Sequence, residues 1–164
     1  MTYIDELVEY PLKALLKIAE NKKCVALLLN KKPDDITFLD TENACDNHMF
    51  DYSFVNSTTQ EVTAYIFIEV DVFRVENRQI KNLALYATVA CHKDYMRLDN
   101  ELFPGVIGNR RENIAKHIDE VLNFSDVFGI GELSLHSVRT GNLSNGFTIK
   151  ELEYRTPDFH KGGG

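Results

Sequence analysis

The sequence predicts an α+β fold, a mainly antiparallel four-stranded sheet with helices packed on one face. Three features carry that prediction. Two consecutive segments alternate side chains with period two, two later segments are joined through an Asn-Gly turn, and a helix with a well-signalled start separates the pairs. The order along the chain reads helix, helix, long loop, strand, strand, helix, strand, strand. A chain of 164 residues that is 44% hydrophobic can bury roughly 70% of the surface its unfolded form exposes, so it needs neither a disulfide nor a structural metal to hold a core. It reads as one domain over residues 1–160 followed by a flexible Gly-rich tail at 161–164.

Between residues 3 and 20, Ile4, Leu7, Val8, Leu12, Leu15, Leu16 and Ala19 recur at three- and four-residue intervals and make one apolar helical stripe. Pro11 kinks this helix or restarts it, because proline removes a hydrogen bond and clashes with the preceding turn. Asn21-Lys22-Lys23 suits a break, and residues 24–30 read as a second short helix that stops before Pro33. From residue 34 to 60 periodicity fails. Turn formers mix there with Met49, Phe50, Tyr52, Phe54 and Val55, which predicts a long loop whose aromatic groups need a surface to cover.

Residues 62–74 form the clearest strand: Ala64, Ile66, Ile68, Val70 and Val72 face one way and Tyr65, Phe67, Glu69, Asp71 and Phe73 the other. After a polar turn at 75–78, residues 83–91 alternate again, so the two should pair as an antiparallel hairpin. Asn109 can cap the next helix, with Glu112 reaching back to complete a capping box, and Ile114, Ile118, Val121 and Leu122 make its buried stripe. Strands near 130–138 and 147–154 flank a turn at 140–146 that ends in Asn-Gly.

Charge narrows the function. With 18 Lys+Arg against 25 Asp+Glu the net charge is −7, which argues against a free-standing nucleic-acid binder and against an anionic membrane surface. The acidic start lacks the basic flank and apolar run of a secretory signal, and the longest apolar run is far too short to cross a bilayer. Cys24, Cys45 and Cys91 form no CxxC pair, so the reading is a soluble intracellular protein with reduced thiols.

Few constellations resemble a catalytic centre. Glu69 and Asp71 lie on one side of a strand, about 7 Å apart, and such a pair can hold magnesium or share acid and base roles. A metal-dependent nuclease using them is the enzymatic alternative, but the lysine such nucleases place two residues after the acid is Asp71 here. The histidines show no metal-ligand spacing, no nucleophile elbow is present, and no Lys-Ser or Lys-Thr follows Gly105 and Gly108 as a P-loop requires. No cofactor is expected. Arg110 and Arg111 sit in the first turn of a helix, where the dipole disfavours cations, and are candidates for contact with a partner.

The runs Asn47-His48-Met49-Phe50-Asp51-Tyr52-Ser53-Phe54-Val55, Ser57-Thr58-Thr59-Gln60-Glu61 and Tyr65-Ile66-Phe67-Ile68-Glu69-Val70-Asp71-Val72 resemble a group of proteins in tailed-phage and prophage structural modules. Cys91-His92-Lys93-Asp94, Asp126-Val127-Phe128-Gly129-Ile130-Gly131 and Tyr154-Arg155-Thr156-Pro157-Asp158-Phe159 fit the same likeness. The group is similar to phage neck proteins, the tail terminators and head–tail connector components. The resemblance implies a tail-terminator-like fold and a homo-oligomeric ring, commonly of six subunits. It also implies tail tube protein and a head-side connector or adaptor as partners, a place in the virion after assembly in the host cytoplasm, and DNA only as passing cargo. A head-completion or stopper protein, or a small adaptor binding one partner peptide on its sheet edge, is the related alternative. On this reading Met49, Phe50, Tyr52, Phe54, Val55, Arg110 and Arg111 meet a neighbouring subunit or ring. Glu69, Asp71 and Glu76 then face a lumen where negative charge lets the duplex slide.

Overall fold

Alternation and turn chemistry build the sheet largely as the sequence predicts. In the computed structural model, which describes residues 3–55, 58–76 and 79–156 and all their side chains but those of residue 3 and residues 74–81, a five-stranded sheet has the order β1-β2-β3-β5-β4. Its strands are β1 (Met49–Phe50), β2 (Ala64–Glu76), β3 (Gln79–His92), β4 (Ser134–Asn142) and β5 (Phe147–Arg155). Four helices, α1 (Tyr3–Ala19), α2 (Lys22–Leu29), α3 (Phe38–His48) and α4 (Arg110–Leu122), complete an α+β architecture. The expected four-stranded antiparallel sheet is therefore corrected to a five-stranded mixed one: β1 pairs parallel to β2 through Met49↔Ile66 and Phe50↔Phe67. Two residues are too few for period two to register in a sequence. Residues 161–164, read as a flexible tail, lie outside the described residues.

Helices cover one face of the sheet, as expected. Ala64, Ile66 and Ile68 of β2, Leu83, Leu85, Ala87, Val89 and Cys91 of β3, and Leu152 and Tyr154 of β5 share one buried cluster with residues of all four helices. Burial pushes the thiols of Cys24 and Cys91 up to about 12, so both stay protonated and act as small apolar groups. The clamp on α4 is polar. The Tyr154 hydroxyl donates to Asp119 at 2.8 Å, Arg111 donates to the Thr148 hydroxyl, and Lys150 pairs with Glu112 at 3.0 Å. Burial and the Asp119 carboxylate hold the Tyr154 phenol above its ordinary range.

The segment expected to be a loop is mostly ordered as helix. Pro33–Asp35 make a short 3-10 turn, and Thr37 starts α3 with a reciprocal capping box: its hydroxyl accepts from the Asp40 N–H while the Asp40 carboxylate accepts from the Thr37 N–H at 3.0 Å. α3 escaped prediction because it buries little beyond Asp40 and Ala44 and so carries almost no apolar stripe. Hydrogen bonds from Lys31, then from Thr37, hold the Asp40 carboxyl below its usual range. Thr37→Ala is expected to cost about 1 kcal/mol in denaturant melts at pH 7. Asp40's folded pKa is depressed, so its contribution is complete above the unfolded value of about 3.9 and is lost as pH falls through the folded one. The penalty measured at pH 7 should shrink in that acid window.

α1 runs on through Pro11 without a break, but the expected stripe is not its core face: of that stripe only Leu15 and Ala19 are buried and Leu7 half-buried, and Tyr10, Ala14 and Ile18 complete the buried side instead. Ile4, Val8, Leu12 and Leu16 stay exposed. Asn21 caps α2 by accepting from the Cys24 N–H, and Asn30 ends it in the left-handed region at φ 57°. Gly146, at φ 88°, closes the β4–β5 hairpin where a side chain would be strained.

Candidate functional site

Tyr65, Phe67, Glu69 and Asp71 of β2 project from the sheet face opposite the helices, and register decides what they meet. Phe67 pairs with Thr88, which pairs with Glu151; Glu69 pairs with Tyr86, which pairs with Glu153; Asp71 pairs with Ala84, which pairs with Arg155. This second face thus has an aromatic end and an acidic end.

At the aromatic end Tyr65, Phe67, Ala90 and Phe147 are buried, with Phe50, Phe54, Val55, Leu143 and Ile149 packed over them. Phe54 meets Tyr65 and Phe67 edge-on, with ring centroids 4.9 and 5.4 Å apart, the geometry aromatic quadrupoles favour. Phe50 stands 4.8 Å from Phe54, also edge-on. The Tyr65 hydroxyl donates to Glu61 at 2.9 Å, and burial together with that carboxylate pushes its phenol up to about 12.

The acidic end is open. Glu69 and Asp71 are exposed and Glu151 is half-buried, and the three line a hollow of about 230 Å³ with Tyr86 and Thr88. Burial raises the Tyr86 phenol, with Glu153 and Asp71 adding to the shift and Arg155 opposing it. Glu153 is only 4% exposed but is neutralised by Arg155 at 2.6 Å and approached by His136 at 3.8 Å. Among the described residues, no cation lies within ion-pair distance of Glu69, Asp71 or Glu151. Nor, among them, does any group of three or more His, Cys, Asp or Glu side chains have the geometry to hold a metal ion.

The structure sorts the residues singled out from sequence. Met49 is 4% exposed and belongs to the helix-side core. Phe50, Phe54 and Val55 cover the chain's own aromatic layer, which leaves Tyr52, at 55% exposure, as the large outward group of that segment. Arg110 and Arg111 are corrected outright. At 2% and 9% exposure they are interior groups that hold α4 in place, so neither is available to a partner. Glu112 does not complete a capping box but accepts from Arg111 at 2.7 Å. Burial would raise its carboxyl, yet the Arg111 and Lys150 contacts outweigh this and hold it low. Glu69 and Asp71 do share one face, and the side chain of Glu76 lies outside the described residues. Sequence reading missed Glu151, Tyr86 and Thr88. Only register places them, and the signal was the unused alternation of β5, where Glu151 and Glu153 fall on the side opposite Leu152 and Tyr154.

A second hollow, of about 730 Å³, lies between α2, the 101–107 loop and α4, with Lys23, Lys32, Lys116, His117 and Ile107 in its wall. No helix among the described residues is long and apolar enough to cross a membrane.

Compared with known proteins, residues 12–156 match the model of the family described as YomW. Searches of curated proteins and of solved structures find no match.

Proposed function

Since the chain belongs to the YomW family, a phage-encoded family, we propose that it is a structural protein of the phage neck. It acts as a tail terminator whose ring, sixfold by the resemblance, caps the tail tube and joins it to the head-side connector. It works by fitting against copies of itself and its neighbours, and no bond is made or broken. The observation that carries the reading is the open acidic end of the sheet, where Glu69, Asp71 and Glu151 stand without a cation among the described residues. A lumen lined by such carboxylates repels phosphate, so a duplex passes without sticking.

The sheet edges support assembly. β1 covers only Ile66 and Phe67 of β2, and β4 ends the strand order on the other side. Unpaired edges invite another chain unless something blocks them. A head-to-tail contact between two different edges closes into a ring when the rotation allows.

Light scattering of the purified protein, alone and with tail tube protein, is expected to give a ring mass in at least one condition. A strict monomer that joins neither tube nor connector overturns the ring, and a one-to-one complex with a single partner makes the protein an adaptor instead. DNA incubated with magnesium or manganese should stay intact. Metal-dependent cleavage abolished by Glu69→Ala would reassign the carboxylates to catalysis. Replacing Glu69, Asp71 and Glu151 together by lysine is expected to turn a protein that ignores duplex DNA at about 0.15 M salt into a binder whose affinity falls steeply as salt rises.

A further inference from the structure

The core does not use the whole apolar surface of α1. Ile4, Val8, Leu12 and Leu16 are 66%, 59%, 47% and 63% exposed, although Tyr10, Ala14, Leu15, Ile18 and Ala19 already fill the side facing the sheet and the other helices. Single exposed aliphatic groups are ordinary on a protein surface. Four at a constant spacing of four are not single: they form one continuous ridge of the kind that packs into the groove of another helix.

A parallel row of charges runs beside the ridge: Asp5 and Glu9 toward the N-terminus, Lys13 and Lys17 toward the C-terminus. Glu9 and Lys13 already approach each other at 3.6 Å within the helix. This order suits the helix dipole, but the dipole does not explain four aliphatic groups left in water. The row is also self-complementary in one direction only. Against a second copy running antiparallel, the two rows lie on the same side of the seam and each acidic half faces a basic half; running parallel about a two-fold, the rows fall on opposite sides and do not meet.

We propose that α1 is a pairing helix, its Ile4, Val8, Leu12 and Leu16 ridge seating antiparallel on the same ridge of a second copy of this chain. The contact is two-fold, with Val8 of one copy nearest Leu12 of the other and the axis passing close to Tyr10 in sequence. It goes beyond the ring and is separate from it. Two-fold pairing gives a dimer by itself and stacks two rings back to back if the edges also close.

Sedimentation velocity of the full chain tests it. The wild-type protein is expected to self-associate, while Val8→Glu combined with Leu12→Glu, both at exposed positions, should abolish pairing and leave the thermal midpoint unchanged to within a few degrees. Two charge variants, Asp5→Lys with Glu9→Lys and Lys13→Glu with Lys17→Glu, should each pair about tenfold more weakly alone and recover when mixed in equal amounts. With Cys45 replaced by Ser, Ile4→Cys and Leu16→Cys mixed together should crosslink on mild oxidation, and Leu16→Cys alone should not. Equal masses for wild type and the Val8→Glu, Leu12→Glu variant, or self-crosslinking of Leu16→Cys, overturns the proposal. Loss of the ring with two-fold pairing intact overturns only the ring reading.

Discussion

Arg110→Ala is expected to destabilise the protein by about 4 kcal/mol and to lower its thermal midpoint by roughly 10 °C, measured by calorimetry. The side chain is 2% exposed and ties the end of α2 to the stretch after β3. Its guanidinium donates to the Tyr95 carbonyl at 2.7 Å, to the Leu27 carbonyl and to the Asn30 side chain at 2.8 Å. It also lies 3.8 Å over the Tyr95 ring, whose hydroxyl in turn donates to the Leu28 carbonyl at 2.9 Å. Burial lowers the Arg110 pKa, but arginine starts so high that it stays charged. Removing it strands the Leu27 and Tyr95 carbonyls in a largely apolar interior and opens a cavity beside Tyr95 and Phe103. Arg110→Lys should recover less than half of the loss, because a single ammonium cannot reproduce a planar fork that reaches several acceptors at once. A change of under about 1 kcal/mol for Arg110→Ala would mean the group is solvated and free for a partner after all.

Phe67→Ala should be nearly as costly, about 4 kcal/mol in urea melts, whereas Tyr52→Ala should stay within about 0.5 kcal/mol of wild type. Phe67 is 2% exposed on the face away from the helices, with Phe54, Tyr65 and Phe50 at centroid distances of 5.4, 5.9 and 6.3 Å. Truncating it hollows the layer that the 49–55 segment covers. Tyr52 projects outward, so its loss is expected to alter assembly and not folding. Had the whole segment been a docking arm, both variants would leave stability intact and both would impair association. The contrast between them separates a lid on the chain's own sheet from a surface meant for another molecule.

β2 and β3 were legible in sequence because one face of each is apolar over residues 64–72 and 83–91, and α4 because Asn109 and its buried stripe announce it. α3 was not, since a helix that buries little shows no period. The two arginines were misplaced for a related reason. Cations at a helix start read as surface groups, and the carbonyls that satisfy Arg110 come from residues 27 and 95, which no local pattern connects to it.

The sequence by itself determined the alternation of β2, the capped start of α4, the hairpin ending at Gly146 and the acidic pair Glu69 and Asp71, because each rests on residues within one or two turns of chain. Only the tertiary structure decided that Glu151 joins that pair, that Phe50 and Phe54 cover the chain's own sheet, and that four of the seven stripe residues of α1 lie outside the core. The physical reason is range. Period and capping are local, whereas register between strands and competition for core surface depend on residues far apart in sequence.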